Sequence, residues 1–289
     1  MRSIVGSDAG TRHSVSVHAH DAVCRQLTIL PMLSSPNSLL ALKLLFCGLA
    51  LMVAGRLAQR ATGGLDSAEA ERVLAAVVAG AFVGSKLFFV MQFPLLAIQL
   101  VVRFEWVELW TLAAGYSIPG AVAGAAGGLA ITARERCAVL ADALTPALLY
   151  ALLILAVGRH FWSLSEPGHG APTRSFGLNF GDGALRHPVM WYDAICAALM
   201  LWGHRAMARQ GVSVPGLRAC VLWGAWFGAT LLLAFLKPPF GPILLIERVH
   251  PRAVLYPPGL TAEQWLCVVA AAVLAWQSVR LMRRVFKAN

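Results

Sequence analysis

Long apolar stretches alternate along this chain with short polar segments that carry arginine. Within the stretches the apolar positions run almost unbroken, without the solvated face that a surface helix keeps. Such windows fall at Leu39–Ala58, Val73–Leu95, Leu109–Ile131, Ala138–Val157, Val189–Gly203, Leu217–Leu236 and Gln264–Met282. A bilayer core requires about 20 apolar residues of helix to cross it, and in lipid every backbone polar group must be satisfied within the segment. The pattern therefore predicts an all-α, polytopic membrane protein with about seven transmembrane helices. Residues 39–289 are expected to form this seven-helix domain. Residues 1–38 are polar and histidine-containing and are expected to be a flexible extension, with Met32 as an alternative start.

Composition agrees with the periodicity. Of 289 residues, 58% are hydrophobic and 13% charged, against about 25% charged in an average soluble domain. The mean hydropathy is +0.67. The formal charge is +10, which raises the question of nucleic acid. The charges are spread over many short loops and form no concentrated patch, so a nucleic-acid partner is not expected. They report topology and contact with anionic headgroups. One set of inter-span segments carries Arg56, Arg60, Arg72, Arg134, Arg136, Arg205, Arg209, Arg218, Arg280, Arg283, Arg284 and Lys287 over few positions. The opposite set spreads Arg2, Arg12, Arg25, Arg103, Arg159, Arg174, Arg186, Lys237, Arg248 and Arg252 over the N-terminal extension and long Gly- and Pro-containing loops. Short basic loops stay in the cytoplasm, which puts the C-terminus inside and the N-terminus outside. The six cysteines contain no CxxC pair and are read as small apolar filler. Cys24 follows "HDAVC" without a preceding apolar region, so a lipid-modified start is not expected.

Candidate chemistry then narrows to a few polar residues. Gly80/Gly84, Gly120/Gly124 and Gly224/Gly228 are Gly-xxx-Gly pairs, which favour close helix approach in lipid. The middle pair differs, because Pro119 is expected to interrupt its helix and free backbone groups for a cavity. Lys86 inside the second span either snorkels or points at an anionic headgroup. Asp142, four residues before Pro146, either caps the fourth helix or pairs with a base. "ALRHPVMWYDA" gathers Arg186, His187, Tyr192 and Asp193, with Arg186 suited to a phosphate and His187 to proton transfer. Its alternative is an ordinary helix start at the lipid interface. No metal site and no cofactor are implied.

In this order the pieces resemble the prolipoprotein diacylglyceryl transferase family of bacterial inner-membrane enzymes. "VGSKLFFV" is similar to the family's G-A-R-L-x-Y-V through Gly84, Leu87 and Val90, with Lys86 at the arginine and Phe89 at the tyrosine. "GYSIPGAVAG" resembles G-x-S-F-H-G-G-L-x-G through Gly115, Ser117, Gly120 and Gly124. "LADALTP" is similar to D-x-x-x-P through Asp142 and Pro146, and "RHPVMWYDA" to R-H-P-x-Q-L-Y-E-A. "GLTAEQWL" resembles G-L-T-x-x-Q through Gly259, Leu260, Thr261 and Gln264.

The resemblance implies a fold that draws phosphatidylglycerol, or another anionic phospholipid, from the bacterial inner membrane. It implies transfer of the diacylglyceryl group to a lipobox cysteine thiol of a prolipoprotein, or to another envelope acceptor. It also implies altered chemistry. Pro119 stands at the family's histidine, Ala156 at an arginine and Arg159 at an asparagine, and of the charges in the late R-x-x-x-E-x-x-R helix only Lys237 remains. Arg159, Arg186 and Lys237 are the expected phosphate ligands and His187 or His160 the expected base. Lys86, Ser117, Gly120, Gly124 and Asp142 are expected to help bind substrate, with Tyr192 and Asp193 beside the reacting groups. A different lipid-derived transfer and a silent lipid-binding or assembly role stay open beside this reading.

Overall fold

The computed structural model describes residues 36–107, 115–161, 169–174, 176–180, 183–237 and 252–288. The N-terminal extension before Pro36, including Cys24 and Met32, lies outside the described residues, as do Arg248 and the first residues of the third predicted span. Eight α-helices are described: α1 Pro36–Ala61, α2 Ser67–Val90, α3 Pro94–Val102, α4 Ile118–Thr132, α5 Cys137–Gly158, α6 Val189–Arg209, α7 Leu217–Ala234 and α8 Ala262–Ala288. A 3-10 turn, Arg159–Phe161, extends α5. The remaining regular structure is a small antiparallel ribbon of β1 (Leu178–Asn179) and β2 (Leu185–Arg186), with Leu178 opposite Arg186.

Among the described residues five helices are long and apolar enough to cross a membrane: α1, α2, α5, α7 and α8. They coincide with five of the predicted spans. The described part of the third span is the shorter apolar helix Ile118–Thr132. The fifth is α6, a helix of 21 residues whose ends carry Tyr192 and Asp193, then His204, Arg205 and Arg209. Large apolar side chains such as Leu51, Phe82, Ile131, Trp202, Leu232 and Trp276 point outward from these helices. A water-soluble fold would bury them, whereas hydrocarbon solvates them.

Two departures from the expected boundaries have simple causes. The second span does not run on to Leu95. α2 stops at Val90, and Pro94 starts the separate short helix α3, where its missing N–H costs nothing. Phe89, Phe93 and Leu100 fill the corner between them. The described helix of the third span begins only at Ile118, after the irregular residues 115–117. Pro119 occupies the first turn of this α4, and the Ser117 hydroxyl at the N-cap accepts a hydrogen bond from Gly120 N at 3.1 Å.

The glycine pairs act together. α2 and α4 run antiparallel with Gly84 against Gly120, Gly80 against Gly124, and Ala76 against Gly128. A Cβ added at Gly80 would lie 2.3 Å from the Gly124 carbonyl oxygen, and one at Gly128 would lie 2.1 Å from that of Ala76. The middle pair is thus half of a packing seam whose other half is the first pair. Gly224 approaches Leu274 of α8, whereas a Cβ at Gly228 would meet nothing within 4 Å. Small residues bring α1, α2, α4 and α5 together around Val73, Leu129 and Leu140. A larger core, with Leu149, Trp223, Trp226 and Phe227, joins α5 to α6, α7 and α8.

Asp142 shows how one end of this bundle is pinned. It is buried in α5 and accepts hydrogen bonds from Gly216 N at 2.8 Å and Ala219 N at 2.7 Å. It therefore caps α7 across the bundle, not its own helix, with Arg218 4.0 Å away. Pro146 has no N–H to offer the Asp142 carbonyl one turn earlier. His204 of α6 takes that place, its Nε2 lying 3.1 Å from the carbonyl oxygen.

Candidate active site

The opposite end of the bundle holds a cavity of about 300 Å³. Four helix ends meet there. Arg159 comes from the end of α5, Asp193 from the first turns of α6, Lys237 from just beyond α7, and Thr261, Glu263 and Gln264 from the start of α8. Phe89 and Gln92 from the end of α2, and Tyr116 and Pro119 from the start of α4, complete the wall. Asp142 lies 17 residues before Arg159 on α5, so about 25 Å separates the pinned end from this cavity.

The charged groups form a chain. Arg159 Nη2 donates to Asp193 Oδ2, and Lys237 Nζ lies 3.9 Å from that same oxygen. Arg159 has 6% of its side chain exposed and Asp193 14%, so water screens this pair little. Charge-assisted bonds in such surroundings fix the side chains closely. Glu263 accepts a hydrogen bond from Gln92 Nε2 at 3.1 Å.

The start of α8 is held rigidly. Thr261 N donates to Gln264 Oε1 at 2.8 Å, and Gln264 N donates to Thr261 Oγ1 at 3.2 Å. This reciprocal pair is a capping box, and it explains physically the Gly-Leu-Thr-x-x-Gln spacing. Gly259 precedes it at φ +109°, a backbone region that favours glycine. Tyr256 ties the approaching segment to α2 through its hydroxyl, which donates to the Met91 carbonyl at 3.0 Å.

A second cavity, of about 280 Å³, opens between α2, α4 and α5. Its walls are mostly aliphatic: Ala81, Ala121, Val122, Leu148, Ala151 and Leu155. Tyr116, Ile118, Leu152 and Arg159 border both cavities. A polar chamber and an apolar one thus meet at Arg159.

The residues singled out from the sequence divide accordingly. Arg159, Asp193 and Lys237 come together in the polar cavity, and Ser117 lines the apolar one. Gly120 and Gly124 face α2. Lys86 donates to the Gly115 carbonyl at 2.8 Å and lies 5.8 Å from the Phe82 ring centroid. Arg186 sits in the ribbon, opposite Leu178. His187 bonds through its backbone to Gly170 and Ala171, beside the end of α7, and the Ala171 N–H bonds to the Leu236 carbonyl. Tyr192, Arg186 and His187 are not among the residues lining either cavity. His160 packs into a nest with Phe161, Phe180 and Trp191. Among the described residues no group of three or more His, Cys, Asp or Glu side chains is placed to hold a metal ion.

Sequence reasoning passed over Glu263, Gln92 and Tyr116. Glu263 carried a usable signal, being an ionisable residue at the membrane end of the last apolar stretch. Gln92 and Tyr116 carried none.

Residues 41–279 match the family described as prolipoprotein diacylglyceryl transferase. The chain belongs to this family. The match spans all but the outer ends of the first and last helices and includes both cavities, so the prolipoprotein diacylglyceryl transferase fold is the frame in which Arg159, Asp193, Lys237 and Glu263 are held. A comparison with curated proteins returned no match. The family is one of membrane transferases in lipoprotein biosynthesis, and the five apolar helices agree with a place in the membrane.

Proposed function

We propose that the protein moves a diacylglyceryl group from phosphatidylglycerol to the thiol of a lipobox cysteine, using a rebuilt site in the bacterial inner membrane. The observation that carries this reading is the junction of the two cavities at Arg159. A phospholipid needs a charged chamber for its phosphate beside an apolar one for its chains, and here one arginine residue borders both. Arg159 and Lys237 would take the phosphate oxygens, and Asp193 would keep the two cations side by side. Ala156, at the position of the family's arginine, lies one turn before Arg159 on the same helix. A cation is thus supplied from a neighbouring position toward the same end of α5.

In the reaction the cysteine sulfur attacks the glyceryl carbon and a thioether bond forms. The carbon–oxygen bond to phosphate breaks, and glycerol phosphate departs with the electron pair on its oxygen. As the charge of the leaving phosphate develops, the two cations stabilise it. The bundle would cross the membrane seven times, with the C-terminus in the cytoplasm and the cavity toward the outer leaflet. The density of arginine at the opposite end supports this orientation.

The test is expression of the full chain in bacteria depleted of their own diacylglyceryl transferase. The expected result is restored growth and lipid-modified lipoprotein, lost on R159A. Absence of modified lipoprotein from cells holding correctly inserted protein refutes the transfer. Phospholipid that co-purifies with such an inactive protein, and is lost on R159A, would then favour the silent lipid-binding role.

A further inference from the structure

Resting on that transfer reaction, we propose that Glu263 is the catalytic base that takes the proton from the acceptor thiol. The reaction needs a proton acceptor because the thiolate is the nucleophile. The histidines that sequence alone offers for this task, His160 and His187, do not line the polar cavity. Pro119, which does, has no titratable group. Two carboxylates remain among the lining residues, Asp193 and Glu263.

Their partners separate their roles. Asp193 turns one oxygen, Oδ2, toward both Arg159 and Lys237, so its charge is engaged by the two cations that would hold the phosphate. Glu263 accepts instead from a neutral donor, the Gln92 side-chain amide. That donor's residue is itself anchored, because the Gln92 backbone carbonyl accepts from Val254 N at 2.8 Å. The Glu263 carboxylate lines the cavity with Lys237 near enough to act on its charge, and among the described residues no cation hydrogen-bonds it. It stands at the first turn of a helix whose start is locked by the capping box. The phosphate end and the proton-accepting end of the site are then built from different helices. The thiol proton passes to a Glu263 oxygen as the sulfur–carbon bond forms, and the carbon–oxygen electron pair leaves on the phosphate beside Arg159 and Lys237.

The experiment uses the full chain in phosphatidylglycerol nanodiscs with a lipobox peptide, following the thioether product by mass spectrometry across pH. E263Q is expected to lower turnover about 10²-fold or more at neutral pH. The deficit should shrink as pH rises toward the thiol pKa of about 8.5, where the thiol ionises without a base. Phospholipid retained by the protein should be unchanged. E263D, which keeps the carboxylate but withdraws it by one methylene, should recover part of the rate. Wild-type turnover in E263Q overturns the assignment while leaving the transfer reaction intact. A deficit that is constant with pH and accompanied by lost lipid gives Glu263 a structural role and also overturns it. If the wild-type protein forms no thioether, both the transfer reaction and the base fall together.

Discussion

A single methyl group added to the α2–α4 seam should separate two helices, and Gly124→Ala is the sharpest case. The new Cβ would start 2.0 Å from the Gly80 carbonyl oxygen, 2.8 Å from its carbon and 3.0 Å from the Gly84 Cα. All three are backbone atoms, so no side chain can turn away to make room. Ordinary contact begins near 3.4 Å, so the helix axes must part by about 1.4 Å at this point. Overpacking of this kind costs about 1–3 kcal/mol. Alanine returns about 1 kcal/mol of helix propensity relative to glycine. The steric term wins, leaving a net loss of up to about 2 kcal/mol. For a chain of this size the larger figure lowers the melting temperature by roughly 4–8 °C.

Gly127 provides the control, because it lies in the same helix and a Cβ there meets nothing within 4 Å. Gly127→Ala should be neutral or raise the melting temperature slightly. The assay is thermal unfolding of both variants in one detergent, followed by tryptophan fluorescence. If Gly124→Ala melts at or above Gly127→Ala, the seam does not set the spacing of these helices.

Other variants probe the two ends of the bundle. D142A removes the acceptor of Gly216 N and Ala219 N and should cost about 1–2 kcal/mol, read as a lower melting temperature. H204A leaves the Asp142 carbonyl above Pro146 without its donor, and should cost about 1–3 kcal/mol in the same measurement. At the cavity, D193A strips the counter-charge from Arg159 and Lys237 and should cost about 3–5 kcal/mol. The double replacement R159M with D193L should be less harmful than D193A in a double-mutant cycle, because the most deeply buried cation leaves with its partner and only the more exposed Lys237 loses its counter-charge. T261A should cost about 1 kcal/mol, and adding Q264A should cost less than its effect alone, because the two side chains act as one capping box.

Reading the sequence went furthest where a rule is local. Bilayer thickness sets the length of an apolar helix, so α1, α2, α5, α7 and α8 were visible as long apolar windows. Capping is also local, since Thr261 and Gln264 are three residues apart and bond each other. The site was only partly legible. Arg159, Asp193 and Lys237 stood out as charges at the ends of apolar stretches and do converge. Arg186 and His187 belong to the same polar run as Asp193, yet they fall on the ribbon and its approach to α6. Adjacency in sequence does not place side chains on one face once the chain turns from strand to helix.

The sequence by itself determined the class of protein, its membrane solvent and the resemblance that the family match bears out, because hydropathy and motif order are written residue by residue. What only the tertiary structure decided is which polar groups share a chamber. Gly80 and Gly84 meet Gly120 and Gly124 across some 40 positions of chain, Asp142 caps a helix that starts at Leu217, and Glu263 shares a cavity with Gln92 and Arg159. These pairings depend on which helices pack together and at what height, and helix packing is set by the complementarity of whole surfaces. No spacing along the chain encodes that, and so Pro119, which reads in sequence as the break in a helix, is in the folded protein the first turn of one.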